Sequence, residues 1–184
     1  MPAHPHDVTG FWRAAGAKQW FAKSARLDAA ITLKFEAVHM AAARGEHDDW
    51  GQIPEGSLAL LILLDQFPRN LFRATAHAFA TDPLARKIAR SALDQGHDQA
   101  TEAELRPFFY LPFEHSEDLS HQTLAIELCR ALRDDTGDER TLQFAELHHD
   151  IIVRFGRFPH RNKVLGRMTT EQEQMFLDDG GFAG

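Results

Sequence analysis

The sequence predicts an all-α protein built of antiparallel helical hairpins. Three observations predict it. Apolar residues nowhere alternate with period two over a sustained run, so strand signals are missing. Helix starts and stops recur along the whole chain. The connections between them are short, which makes successive helices antiparallel neighbours.

The elements follow in order. A first helix over about Asp7–Ala15 carries Phe11 and Trp12 and stops near Gly16. A second is capped by Ser24 and runs to about Arg44; Leu27, Ile31, Phe35, Val38 and Ala42 fall on one apolar stripe. A third, Ser57–Phe67, is apolar on all sides and is therefore expected at the centre. Asp82-Pro83 supplies a cap and an N1 proline for a helix that ends before Gly96. Thr101 and Glu104 form a capping box for a short helix over 102–109, stopped by "RPFFYLP". Ser116 or Asp118 opens a helix to Arg133, and Gly137-Asp138 reopens a long one that ends at Gly156. Thr170 and Glu173 box the start of a last helix, which ends at Gly180-Gly181. Trp12, Trp20 and Trp50 are expected to anchor helices to one another. A stack of such hairpins resembles a tetratricopeptide-like α–α superhelix.

Bulk properties bound the function. The chain has 184 residues, 43% apolar and 26% charged, and is expected to form one domain over 1–184. The longest apolar run, "LALLILL" at 58–64, is too short for a membrane span. "MPAHPHD" lacks the basic and apolar regions of an export signal, so a cytoplasmic protein is expected. The net charge of −7 argues against nucleic acid and anionic membranes as partners. A single cysteine, Cys129, excludes an internal disulfide and sits at core-like spacing from Ile126. The oligomeric state is not legible.

The charge is unevenly placed. Residues 152–170 contain no acid and hold Arg154, Arg157, Arg161, Lys163 and Arg167; residues 66–81 contain no acid and hold Arg69 and Arg73. Each window contains a related turn, "FPRN" at 67–70 and "FPHRN" at 158–162. Proline after phenylalanine is expected to terminate each preceding helix, with Asn70 and Asn162 suited to left-handed turn positions. Strict alternation of helix direction from Phe67 then puts "DQFPRN", "YLPFEHSE" and "GRFPHRN" at one end of the domain. Capping of the last helix carbonyls by Arg69 or Arg161 explains each turn singly. It leaves unexplained why Arg157, His160 and Arg167 crowd into the same window.

Arginine's planar fork suits a carboxylate or phosphate, so the cluster suggests a small anionic ligand or acids brought from elsewhere in the fold. Asp65, Glu114, Glu117 and Asp118 are such acids. His115 or His160, oriented by Glu117 or Asp65, is a candidate proton acceptor for hydrolysis of an ester, amide or phosphoester. No nucleophile is identified, because Ser116 lies in no strand-turn-helix elbow. Metal sets are incomplete: Glu146-x-x-His149 occurs once, and Glu117-x-x-x-His121 only pairs two ligands on a face. Neither a metal nor another cofactor is expected.

"LALLILLDQFPRNLFRATAHAFATD", "FYLPFEHSEDLSHQ" and "HHDIIVRFGRFPHRNKVLGR" closely resemble the bacterial domain-of-unknown-function family 924, and "FWRAAGAKQWF" fits it as well. The resemblance runs from about Val8 to Leu177. It implies an all-α fold similar to tetratricopeptide-like superhelices. It also implies a signature set: Asp65, Gln66, Pro68, Arg69, Asn70, Arg73, His115, Ser116, Glu117, Gln122, His148, Arg157, Pro159, His160, Arg161, Asn162 and Arg167. It implies no particular reaction. Three functions are carried forward: a pocket for a small anion, a module that grips an acidic or C-terminal peptide, and a hydrolase using His115 and Glu117.

Overall fold

The computed structural model describes residues 3–183 and is helical throughout, with no strand among the described residues. Its backbone contacts group into two compact units. The first runs to Arg73 and from His77 to Pro112; the second comprises Ala74–Ala76 and the chain from Phe113 onwards.

In the first unit, α1 (Pro5–Ala15) and α3 (Ala25–Ala43) follow the sequence pattern closely, and a short helix that the sequence did not signal, α2 (Ala17–Trp20), lies between them. Ser24 caps α3, accepting the Leu27 N–H at 3.3 Å. Leu27, Ile31, Phe35 and Ala42 of the expected stripe are buried. An aromatic cluster of Phe11, Trp12, Trp20, Phe35, Phe67 and Phe108 joins in tilted, stacked and edge-to-face pairs. Trp12, Trp20 and Trp50 are all buried. The central helix begins at Pro54, three residues ahead of the expected start, as α4 (Pro54–Leu61). Residues 56–68 are buried without interruption. Gly56 is what lets this helix lie on the preceding turn, since an added Cβ would fall 2.0 Å from the Trp50 carbonyl oxygen.

Here one expectation is corrected. The helix does not end at Phe67. It widens into a π turn over Ile62–Gln66 and resumes as α5 (Phe67–Leu71), with Pro68 in its first turn. Proline has no N–H to give to the residue four before it, and its ring would crowd that carbonyl. The wider turn relieves the crowding. Three side chains then serve the carbonyls at the bulge. His39 Nδ1 meets the Leu63 carbonyl at 2.8 Å, Thr81 Oγ1 donates to Leu64 at 2.6 Å, and Arg69 Nη1 donates to Asp65. Asn70 is consequently helical; the left-handed residue beyond the turn is Ala74, at φ 61°.

After α6 (Asp82–Asp94), whose cap position is Thr81 rather than Asp82, the 102–109 segment also departs from expectation. Ala103–Leu105 is a single 3-10 turn, and no side chain caps it. The "stop" sequence is itself α7 (Pro107–Glu114), with Pro112 inside it. Phe108, Phe109, Tyr110, Leu111 and Phe113 are all buried, so burial on every side outweighs the local cost of the proline.

In the second unit, α8 (Leu119–Thr136) is capped by Asp118 and closed by Gly137 in the left-handed region. Asp138 caps α9 (Glu139–Phe155), and the two fold back on each other as a hairpin. Gly156, φ 69°, ends α9 as expected. Pro159–Arg161 forms a 3-10 turn, and Asn162 follows it in right-handed helical geometry, not the left-handed position expected of it. Thr170 and Glu173 make the capping box of α10 (Glu171–Asp178). Cys129 is fully buried, and burial raises its thiol far above the usual range. Among the described residues, no helix is long and apolar enough to cross a membrane.

Candidate functional site

The two Phe-Pro turns fall in different units, and each organises its own polar network. In the first unit, Arg69 lies 3.1 and 3.2 Å from the two oxygens of Asp82 and 3.6 Å from Asp65, both of which are buried. Gln66 Nε2 donates to Asp65 at 2.6 Å. Asp28 accepts from Asn70 Nδ2 at 2.8 Å and from Arg73 at 2.8 and 3.0 Å, and these donors hold its carboxyl below the usual range against the effect of burial. Arg69 does serve a backbone carbonyl, but it is that of Asp65 in the π turn, and not one of the last carbonyls of a helix ending at Phe67 as the simpler reading of the turn expects.

The second unit carries the denser network, built on the chain after α9. Asn162 is fully buried and uses both ends of its amide: Nδ2 donates to Glu173 at 3.2 Å, and Oδ1 accepts from Arg167 Nε at 3.0 Å. Arg157 grips Glu173 with Nε at 2.6 Å and Nη2 at 2.8 Å. The Arg157 guanidinium, helped by the Thr170 N–H and by Asn162, takes the Glu173 carboxyl down to about 2. Arg167 holds Glu117 in the same two-toothed manner, and Glu117 also accepts the Phe158 N–H at 2.8 Å. Although burial alone would raise it, the Glu117 carboxyl lies below its usual range because of these donors.

Arg161 is buried; its Nη1 donates to the His115 carbonyl at 3.0 Å, and its guanidinium stacks 4.4 Å from the centre of the Phe158 ring. His148, also buried, sets Nδ1 2.9 Å from Glu114 Oε1 and 2.8 Å from the Phe144 carbonyl. Its ring meets those of His115, Phe158 and Phe182 edge to face. His160 packs between Phe158 and Phe182, with Nδ1 buried and no hydrogen-bond partner among the described residues. Burial first, then the Arg161 charge, pushes the His160 imidazole down to about 3, so it is neutral across the physiological range.

Of the expected residues, His115, Glu117, His148, Arg157, His160, Arg161, Asn162 and Arg167 all join this second-unit network. Asp65, Gln66, Arg69, Asn70 and Arg73 join that of the first. The acids that occupy the arginines were only partly foreseen. Asp28, Asp82 and Glu173 lie on other elements than the arginines they meet; Asp82 and Glu173 are marked in the sequence only as helix-start residues, and Asp28 has no local signal. Glu114 takes the role of orienting a histidine, and its histidine is His148. Ser116 accepts the Asp118 N–H at 3.2 Å and lies 2.9 Å from His121 Nδ1, a turn-forming role. Among the described residues, no three His, Cys, Asp or Glu side chains are placed to hold a metal ion. Two surface depressions, of about 510 and 190 Å³, are lined by none of the expected site residues.

The comparisons with known proteins place the chain in a family. The family model for bacterial proteins of unknown function, DUF924, matches residues 8–181, and the chain belongs to that family. A solved structure titled as a protein of unknown function, ATU0120, from Agrobacterium tumefaciens is similar to it at 50% sequence identity. That likeness covers 96% of this chain and 97% of the other, with a TM-score of 0.91. No curated protein matches the chain.

Proposed function

We propose that the chain binds a small carboxylate- or phosphate-bearing ligand in the second unit, at a site centred on His148, His160 and Arg161. The observation that carries this reading is His160 Nδ1, a buried ring nitrogen without a hydrogen-bond partner among the described residues, beside the guanidinium of Arg161. Buried polar atoms are nearly always satisfied. With its proton on Nδ1, the neutral ring donates to an anionic oxygen while Arg161 supplies the charge. In this reading Arg157 and Arg167 are scaffold: the acids they hold fix the 156–167 turn that carries His160 and Arg161.

A hydrolytic reading has one observation in its favour, the Glu114 carboxylate 2.9 Å from His148 Nδ1. It makes His148 the proton acceptor, in place of the His115–Glu117 pair, since Glu117 is already held by Arg167 and the Phe158 N–H. A tetratricopeptide-like module gripping an acidic peptide has the α8–α9 hairpin to support it. His160 and Arg161 gathered at one turn beside a single helix residue, His148, rather than a row of polar groups along helix faces, favour the small ligand.

The test is a thermal-shift comparison of wild type with Arg161→Ala and His160→Ala, in phosphate and in dicarboxylates at constant ionic strength. An anion-specific rise in wild type that both variants lose supports the reading. A large loss of stability in the variants with no anion-specific shift in any protein assigns the network to scaffolding alone. Turnover of model esters or phosphoesters that is lost in His148→Ala would instead favour hydrolysis.

A further inference from the structure

We infer that Phe182 is a displaceable lid over the His148–His160 pair, an inference that rests on the ligand site proposed above. The strap after α10 runs through Gly180, Gly181 and Phe182. Gly180, at φ 79°, closes the helix and turns the chain back. At Gly181 an added Cβ would come within 2.5 Å of the Phe176 carbonyl oxygen and 2.6 Å of its ring, so the strap lies flat on Phe176. Phe182 then sets its ring edge to face against His148, with centroids 4.5 Å apart, and against His160 at 5.3 Å.

Side-chain packing holds the tip of the strap: besides the two histidine rings, Phe182 packs against the cluster of Ile151, Ile152 and Phe158. The strap's last backbone hydrogen bond is from Gly181 N–H to the Phe176 carbonyl at 2.9 Å, and none joins residues 182–183 to another described residue. Gly180 and Gly181 also border the larger surface depression, beside Arg154 and Phe176. The Phe182 ring is only partly buried, whereas His160 Nδ1 is fully so. A glycine-hinged strap whose tip is seated by side-chain packing, with no backbone hydrogen bond beyond Gly181 among the described residues, makes a cover that can be displaced without breaking backbone structure. Desolvation, the main cause of the low His160 pKa, depends on such a cover.

The test reads the reactivity of His160 to carbethoxylation, by peptide mass spectrometry, in wild type and Phe182→Ala. Loss of the ring contacts should speed modification of His160 by about tenfold, while exposed His77 reacts at an unchanged rate as a reagent control and buried His39 in the first unit stays protected, which shows that the variant is folded. In wild type, the amides of residues 182 and 183 should exchange rapidly while those of Ile151 and Ile152 are protected. Equal His160 reactivity in the two proteins, or protected strap amides, would overturn the lid. If His160 becomes reactive in Phe182→Ala but phosphate and succinate bind neither protein, the lid stands and the anion reading falls. If these anions bind both proteins equally fast and His160 reactivity is unchanged, the reverse holds.

Discussion

Arg167 meets Glu117 with two parallel hydrogen bonds, Nη1 to Oε2 at 2.7 Å and Nη2 to Oε1 at 3.0 Å, across fifty residues of chain. The same guanidinium donates to the Phe158 carbonyl at 3.1 Å, while Glu117 accepts the Phe158 N–H. One ion pair thus clamps both backbone groups of a single residue in the turn. Both side chains remain about a quarter exposed. Removal of one partner should therefore cost less than in a fully buried pair and more than at the surface. Arg167→Ala is expected to destabilise by about 2 kcal/mol, measured by urea unfolding, with Glu117→Gln non-additive in the double variant.

Arg69 is the sharper case. Asp65 and Asp82 are both buried, and Arg69 reaches both. Arg69→Met should leave two acids with one cation fewer and cost about 3–5 kcal/mol. Asp82→Asn in the same background should recover part of the loss.

Acid stability follows from Glu173. Its carboxyl is lowered from 4.5 to about 2, so the unfolded chain binds the proton more tightly than the fold does. The stabilisation is present above about pH 4.5 and is lost as the pH falls towards 2. Glu55, held by Arg13 at 2.8 and 2.9 Å, behaves alike in the first unit. Glu173→Gln should lower stability at neutral pH and flatten its fall in acid, as read from denaturant midpoints.

His160 adds to the same slope by a different route. Its pKa falls from 6.5 to about 3, so between these values the unfolded chain takes up a proton that the folded ring refuses. Stability should rise with pH across that window, and His160→Gln should remove this contribution. Proton NMR of the imidazole should show no titration of His160 near neutral pH.

Gly56→Ala tests the central helix. A Cβ 2.0 Å from the Trp50 carbonyl oxygen meets backbone, which cannot rotate away. A loss of about 2–3 kcal/mol is expected, visible as a lower melting temperature with unchanged helix content by circular dichroism.

The sequence by itself determined the helices whose signals are local. Ser24, Asp118, Asp138 and Thr170 cap as their chemistry requires, and Gly156 closes its helix because a left-handed residue without a Cβ costs least there. It also marked nearly every basic residue of the two networks, since an acid-free window in an acidic chain is visible without a fold. The tertiary structure decided where burial overrides local preference: α5 continues through Pro68 and α7 contains Pro112, because both lie in the core. It also decided which acids meet which arginines. Asp28 and Asp82 carry no sequence mark of their role, because an ion pair is made by distance in space, and the chain must fold before that distance exists.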